Sequence, residues 1–338
     1  MKTLTQKTEP MTFPRNITIF GVGAMATLFG FFLNKVSDRI TLFGAWTEQI
    51  NAITENGLTF MDPDGNKWTR RLNITNNLHH VPPTDVALIL VKSYQTKHTV
   101  GQVKGVLRPN GLAVTLQNGL GNVEILQAAL GGDRVVAGIT YHAANLSALA
   151  CVQHAGAGKT FLGMKVGRET QLNEIVNLLN KAGIQTELIK NIASLSWSKL
   201  IVNAGINPLT ALLEIENGDL LHDPLLGKIL AATVQEVAAV ATRHGISLPH
   251  SDPVEHVFDI CRATARNRSS MLQDIVRGAK TEIEAINGAV VDLGVRYGIP
   301  TPVNQFLLEQ VQSKQAGETF EPDRLNDLEA WPKSALQC

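Results

Sequence analysis

The sequence has no net charge: 30 Lys and Arg residues offset 30 Asp and Glu among 338 residues. That balance argues against nucleic acid or an anionic membrane surface as the main partner and leaves a small molecule as the expected ligand. Cysteine is scarce. Cys151, Cys261 and Cys338 are far apart, odd in number and free of CxxC or metal-type spacing, which fits a reduced, cytoplasmic chain. No apolar run reaches the length expected of a bilayer span. Residues 1–14 carry Lys2, Lys7 and Glu9 among small polar residues, without the apolar core of a signal peptide, and read as a loose tail. His79, His80 and His98 lack acidic or cysteine partners at ligand spacing. They read as loop residues, and no metal is assigned.

The length exceeds the usual span of one hydrophobic core, so two domains are expected. Short β-type runs at Ile17–Phe20, Ile40–Phe43, Val86–Val91, Ala113–Leu116 and Val135–Ala137 are separated by helical or loop segments. Alternation of this kind predicts a parallel sheet covered on both faces. Asp62-Pro63-Asp64-Gly65-Asn66 has turn chemistry and predicts a local hairpin. After Ile189 the texture becomes long helices. The expected organisation is an α/β Rossmann-type domain over 15–189, a mostly α-helical domain over 190–318, and a polar, poorly packed tail over 319–338.

The first strand runs into Gly21-Val22-Gly23-Ala24-Met25-Ala26 and then an apolar helix. This is the Gly-x-Gly-x-x-Gly turn with alanine in its last position. Such a turn lets the backbone approach a pyrophosphate and aims a helix N-terminus at its charge. The bland alternative is a plain strand-to-helix turn, but the flanking strand and helix favour a dinucleotide site. An acidic residue or an arginine at the end of the second strand would separate NAD from NADP, and Phe43-Gly44-Ala45-Trp46-Thr47 supplies neither. Lys92 and Asn118-Gly119 follow two later strands, where ligands of open parallel sheets gather. Taken singly they are a surface lysine and an ordinary turn. Their joint placement favours a nicotinamide pocket.

In the second half, Lys199, Asn203 and Asn207 recur every fourth residue through the apolar stretch Trp197–Pro208. On an α-helix they form one stripe that drifts roughly 40° per step and spans about 12 Å. The apolar neighbours bury this helix on several sides, so the stripe suits an anionic ligand better than a solvated face. One snorkelling lysine and two satisfied core amides are the alternative. A single helix is expected from Ser269-Ser270 through Leu293, with Glu282 beside its buried stripe and Glu284 pointing away. A carboxylate there must be paired, hydrogen-bonded or facing a cleft. Ser270 with Gln273 makes a capping-box pattern, so Ser270 reads equally as a cap or as a donor to ligand. Asn217-Gly218 has the same ambiguity.

These residues in order, from the Gly21 turn through Val91-Lys92, Gln117-Asn118-Gly119, Trp197-Ser198-Lys199-Leu200, Asn203–Ala211, Ser270–Asp274 and Thr281–Gly288, resemble the ketopantoate reductases (2-dehydropantoate 2-reductases) over nearly the whole chain. The resemblance implies a Rossmann domain joined to a helical domain with the active site in the cleft between them. It implies NADPH reducing the 2-oxo group of ketopantoate to D-pantoate, a precursor of pantothenate and coenzyme A. On matching positions Lys199 would be the general acid and Glu282 a partner to the substrate hydroxyl and the lysine. Asn118, Asn203, Asn207, Asn217 and Ser270 would contact substrate or cofactor. Lys92 would lie by the nicotinamide, and Gly21, Val22, Gly23, Ala24, Met25, Ala26, Asn118 and Glu282 would help bind the cofactor. Family members that use NADPH usually carry an arginine just after the second strand, where this sequence has Ala45, so NADH stays admissible.

The chemistry suits these residues without the resemblance. Hydride delivery to a ketone builds negative charge on its oxygen, and a cation able to give up a proton lowers that barrier. Lys199 is such a group. The expected partner is a small 2-oxo acid, with no nucleic acid or membrane and with a homodimer allowed. The alternatives are a reductase of another branched 2-oxo acid and a non-catalytic dinucleotide-binding sensor.

Overall fold

The structure, a computed structural model, describes Pro14 and residues 16–328. The described chain forms two compact units. One comprises residues up to 117 together with 122–192; the other comprises 118–121 together with 193 onwards.

In the first unit the elements run β1 (Ile17–Phe20), α1 (Ala24–Leu33), β2 (Ile40–Phe43), α2 (Thr47–Asn56), β3 (Leu58–Met61), β4 (Lys67–Arg70) and β5 (Asn73–Thr75). They continue with β6 (Thr84–Ile89), α3 (Thr96–Val106), β7 (Leu107–Thr115), α4 (Asn122–Leu130), β8 (Val135–Thr140), β9 (Ala143–Ala148), β10 (Cys151–Gly156), β11 (Thr160–Gly163), α5 (Glu169–Ala182) and β12 (Thr186–Ile189). The main sheet has the order β12-β11-β8-β7-β6-β1-β2-β5. It is parallel from β8 to β5, and β11 joins it antiparallel to β8.

All four residues of β1 and of β2 are buried, as continuous apolar runs require in a sheet covered on both faces. Successive residues of β1 point to opposite layers: Ile19 packs in the cluster with Phe29 of α1, and Phe20 in the cluster with Val103 of α3 and Leu126 of α4. Strand order reverses at β1, which puts the switch point between β1 and β6.

A second sheet, β4-β3-β10-β9, was foreshadowed in sequence only by its Asp62–Asn66 hairpin. Asp62 closes that turn by accepting from the backbone and side chain of Asn66 at 2.8 and 3.0 Å. Within this unit His142 and His154 share a 2.9 Å hydrogen bond among Phe29, Phe32 and Phe60. Burial pulls the His142 imidazole down to about 4, so at neutral pH it is an uncharged core residue. The loop reading of His98 is corrected, since it lies on α3. His79 and His80 sit in a short 3-10 turn.

The second unit is helical: α6 (Ile192–Leu213), α7 (Pro224–Arg243), α8 (Pro253–Ala263), α9 (Ser270–Val276), α10 (Ala289–Tyr297) and α11 (Pro302–Gln315). Asp223 and Asp252 cap α7 and α8, each followed by proline at the first helical position, where its missing N–H costs nothing. Gly205 brings α6 onto α7, because a Cβ there would lie 2.7 Å from Leu230. Contrary to the sequence reading, α7 is long and apolar enough to cross a bilayer. Half of its apolar window is buried, and Leu230, Val234, Val237 and Val240 pack in the helical core.

The single helix expected from Ser269 to Leu293 is also corrected. It ends at Val276, and Gly278 turns the chain with φ +62. Helix resumes only through a π turn at Glu284–Gly288 that leads into α10. The cap of α9 is Ser269 rather than Ser270, its hydroxyl accepting from Leu272 N–H at 3.0 Å. In the supposed tail, Pro322–Leu328 forms a 3-10 helix whose Leu325 is 2% exposed in the helical core; residues 329–338, like residues 1–13 and Arg15, lie outside the described residues.

Candidate active site

In the first unit the glycine turn forms a cradle from what its residues lack. Gly21 has φ +133, and a Cβ there would meet the Leu90 carbonyl oxygen at 2.9 Å, so only glycine lets β1 turn beside the end of β6. Gly23 is the reverse case: a Cβ there would meet nothing within 4 Å, leaving open space directly before α1. No side chain caps α1, and its first turn carries no acidic residue. Its first N–H groups and its dipole therefore suit an anionic group. Ala26 is fully buried, and a Cβ on Gly44 would press to 2.9 Å from Val22. This geometry fits a dinucleotide pyrophosphate. Beyond β2, Ala45 and Glu48 are exposed and no arginine stands there. Lys92 caps the turn after β6, its N–H donating to Gln95 Oε1 at 3.3 Å.

In the second unit, α6 carries Lys199, Asn203 and Asn207 on one stripe. Lys199 and Asn203 are half-buried and Asn207 is buried. Burial pulls the Lys199 ammonium down from the usual 10.5 to about 8, and the nearby Glu282 carboxylate opposes that fall. Desolvation prevails. The lysine is thus still mostly protonated near neutral pH, yet far readier to release its proton than an exposed lysine.

Glu282 is 6% exposed and precedes the π turn. Asn118 Nδ2 donates to its Oε2 at 3.3 Å. That contact follows from a close approach, for Leu120 N–H donates to the Ala285 carbonyl at 2.8 Å and Gly119, at φ +80, touches the same peptide. A Cβ on Gly119 would lie 2.4 Å from Ala285 O, so the strand-end loop read from sequence as half of a nicotinamide pocket packs within the helical unit. Glu284 points to the exposed side and pairs with Lys280 at 2.9 Å.

Asn217 and Ser270 are placed differently. Asn217 is 7% exposed, donates from Nδ2 to Thr264 at 3.0 Å, and keeps a buried Oδ1 with no partner among the described residues. An unpaired buried acceptor of this sort is what a ligand hydroxyl would satisfy. Ser270 is exposed at the start of α9, one residue beyond Ser269, which Thr210 of α6 holds at 2.7 Å. The structure therefore joins Lys199, Glu282 and Asn118 through charge and hydrogen bonding, and lines up Asn203 and Asn207 on the helix of Lys199.

Sequence reasoning missed Asn287, Asn304 and Glu236, which form a buried network behind this turn. One signal was present in the sequence, since Pro208 inside a helix leaves the carbonyl four residues earlier in want of a donor.

A doubly wound, mostly parallel sheet with an open glycine cradle at its switch point, and a helical unit holding a half-buried lysine beside a carboxylate, define an oxidoreductase with a Rossmann-like dinucleotide-binding fold. Two family models match the chain: ketopantoate reductase PanE/ApbA over residues 17–167 and its C-terminal region over residues 191–315. The 2-dehydropantoate 2-reductase of Pyrococcus horikoshii is 34% identical, covering 89% of this chain and 97% of that protein. The enzyme of that name from Halobacterium salinarum is 32% identical, over 88% of this chain and 98% of its own.

Among solved structures, the ketopantoate reductase family protein of Ralstonia eutropha superposes with a TM-score of 0.83 at 26% identity, covering 89% of this chain and 99% of that one. A D-mandelate dehydrogenase with NADH and anilino(oxo)acetate superposes with 0.82 at 26% identity, over 92% and 99%. The chain belongs to the ketopantoate reductase family.

Proposed function

We propose that the chain reduces the 2-oxo group of 2-dehydropantoate to give D-pantoate with NADPH, in the cytoplasm, and that Lys199 is the general acid. The observation that carries this reading is the Lys199 ammonium, held by burial near a pKa of about 8 beside Glu282. The uncapped start of α1, the glycine at 21 and the open space over Gly23 suit the coenzyme pyrophosphate. The reduced nicotinamide supplies the hydride. NADH stays admissible, because Ala45 offers a 2′-phosphate no cation and Glu48 stands close by in sequence.

As negative charge builds on the carbonyl oxygen, Lys199 stabilises it and then delivers a proton from Nζ. Glu282 keeps that ammonium charged until it is needed and accepts from a substrate hydroxyl, and Asn118 fixes the carboxylate that does both. Asn203 and Asn207 are uncharged and bind the substrate carboxylate or hydroxyl by geometry. Asn217, with its unpaired Oδ1, accepts from a hydroxyl, and Ser270 donates at the mouth of α9.

A second reading has a specific basis, since the mandelate dehydrogenase superposes as well as the reductases do. Under it the same lysine serves another 2-oxo acid. The test is loss of the reduced-nicotinamide absorbance with purified protein, comparing 2-dehydropantoate with an aryl 2-oxo acid and NADPH with NADH. Rapid oxidation with 2-dehydropantoate alone supports the first reading. Oxidation only with the aryl acid moves the assignment to the second, and none with either removes both.

A further inference from the structure

Proline inside a helix removes one donor, and α6 contains Pro208. The carbonyl four residues back is that of Ala204, which is fully buried and so has no water to turn to. A buried carbonyl without a partner is costly. Asn287 fills the gap: its Nδ2 donates to Ala204 O at 3.1 Å. Ala204 sits midway along the stripe, between Lys199 and Asn207, and Asn287 sits in the π turn that Glu282 precedes.

We propose that Asn287 is the positioning residue of this enzyme, pinning the turn that carries Glu282 onto the helix that carries Lys199 through the carbonyl that Pro208 leaves open.

The rest of the turn is built to transmit this pin. Glu282 O accepts from Ala285 and Ile286 N–H at 3.0 and 3.1 Å, and Gly288 N–H reaches back five residues to Ile283 O at 3.0 Å. This wide π turn, Glu284–Gly288, starts two residues after Glu282 and contains Asn287, and such turns recur at functional sites. Asn287 is fully buried, and its second amide hydrogen goes to Asn304 Oδ1 at 3.0 Å. Asn304 is held in turn by Glu236, which accepts from its Nδ2 at 2.7 Å and from the N–H groups of Val303 and Asn304 at 2.8 and 2.9 Å. Glu236 thereby caps α11 from α7, and burial raises its carboxyl above the usual range. Asn118 holds the front of the Glu282 turn, and Asn287 with Asn304 holds its back. The charged group that acts on Lys199 is Glu282, while Glu236 meets the backbone of α11.

The proposal rests on the reading of Lys199 and Glu282 as the reacting pair, so its test reads the lysine directly. The pH dependence of Lys199 acetylation by acetic anhydride is followed by peptide mass spectrometry in wild type, Asn287→Ala, Pro208→Ala and the double variant. Pro208→Ala returns a helical N–H to Ala204 and so separates positioning from mere satisfaction of that carbonyl. Asn287→Ala is expected to lower Tm by about 5 °C. The double variant recovers much of this loss. In both Asn287 variants the Lys199 midpoint falls by about one pH unit, because burial then acts with less support from Glu282. Pro208→Ala alone keeps the wild-type midpoint. A double variant that regains Tm and titrates like wild type overturns the proposal, and where the single variant does not fold, the double decides. A separate turnover assay of Lys199→Ala tests the reductase reading, whose failure would leave the labelling result standing.

Discussion

The two units make their sites in opposite ways. In the first, the useful features are gaps: glycine where a Cβ would strike Leu90, glycine where a Cβ would fill open space, and a helix start without a cap. In the second they are long polar side chains forced into apolar helices, with Lys199 losing proton affinity and Glu282 buried beside it. Backbone binds whatever carries a phosphate in the right place and confers little chemistry. A desolvated lysine costs stability and supplies reactivity in exchange. Binding and chemistry should therefore fail separately when each is disturbed.

Gly23→Val has the largest expected effect. Its φ is ordinary and a Cβ there meets no protein atom within 4 Å, so the fold should hold while coenzyme Kd rises by about a hundredfold as the cradle fills. Titration calorimetry or coenzyme fluorescence measures this, and Lys199 should titrate as in wild type. Unchanged affinity would mean that the pyrophosphate lies elsewhere.

Glu282→Gln acts on the other unit and more mildly. Asn118 keeps an acceptor, but Lys199 loses the charge that supports its protonated form. The alkaline limb of kcat/KM should move to lower pH by about one unit, with substrate KM raised about tenfold and coenzyme Kd almost unchanged. A limb that stays in place would show that burial alone sets the lysine.

The contrast also explains which parts could be read from the sequence. The glycine turn is a local motif, and strand, turn and helix all lie within residues 17–33. The Lys199, Asn203 and Asn207 stripe is periodic and equally local. The break at Gly278 and the π turn were hidden because the apolar spacing of the segment continued across both. Asn118 was read with the strand it follows, although a backbone bond from Leu120 to Ala285 binds that loop to the helical unit. Glu236 carried no signal in the sequence, because the first turn of α11 that donates to it lies some 67 residues further along the chain. Each of these depends on contacts between distant residues, which periodicity does not report.

The central claim is that Lys199 gives up a proton and does more than hold an anion. Arginine keeps the charge and cannot release it. The measurement is kcat/KM against pH for wild type and Lys199→Arg, each saturated with coenzyme. Wild type should lose activity as pH rises through about 8, where the lysine loses its proton. Lys199→Arg should be slower by about a hundredfold and flat across the same range. The same alkaline limb in the arginine variant would assign the proton to another group.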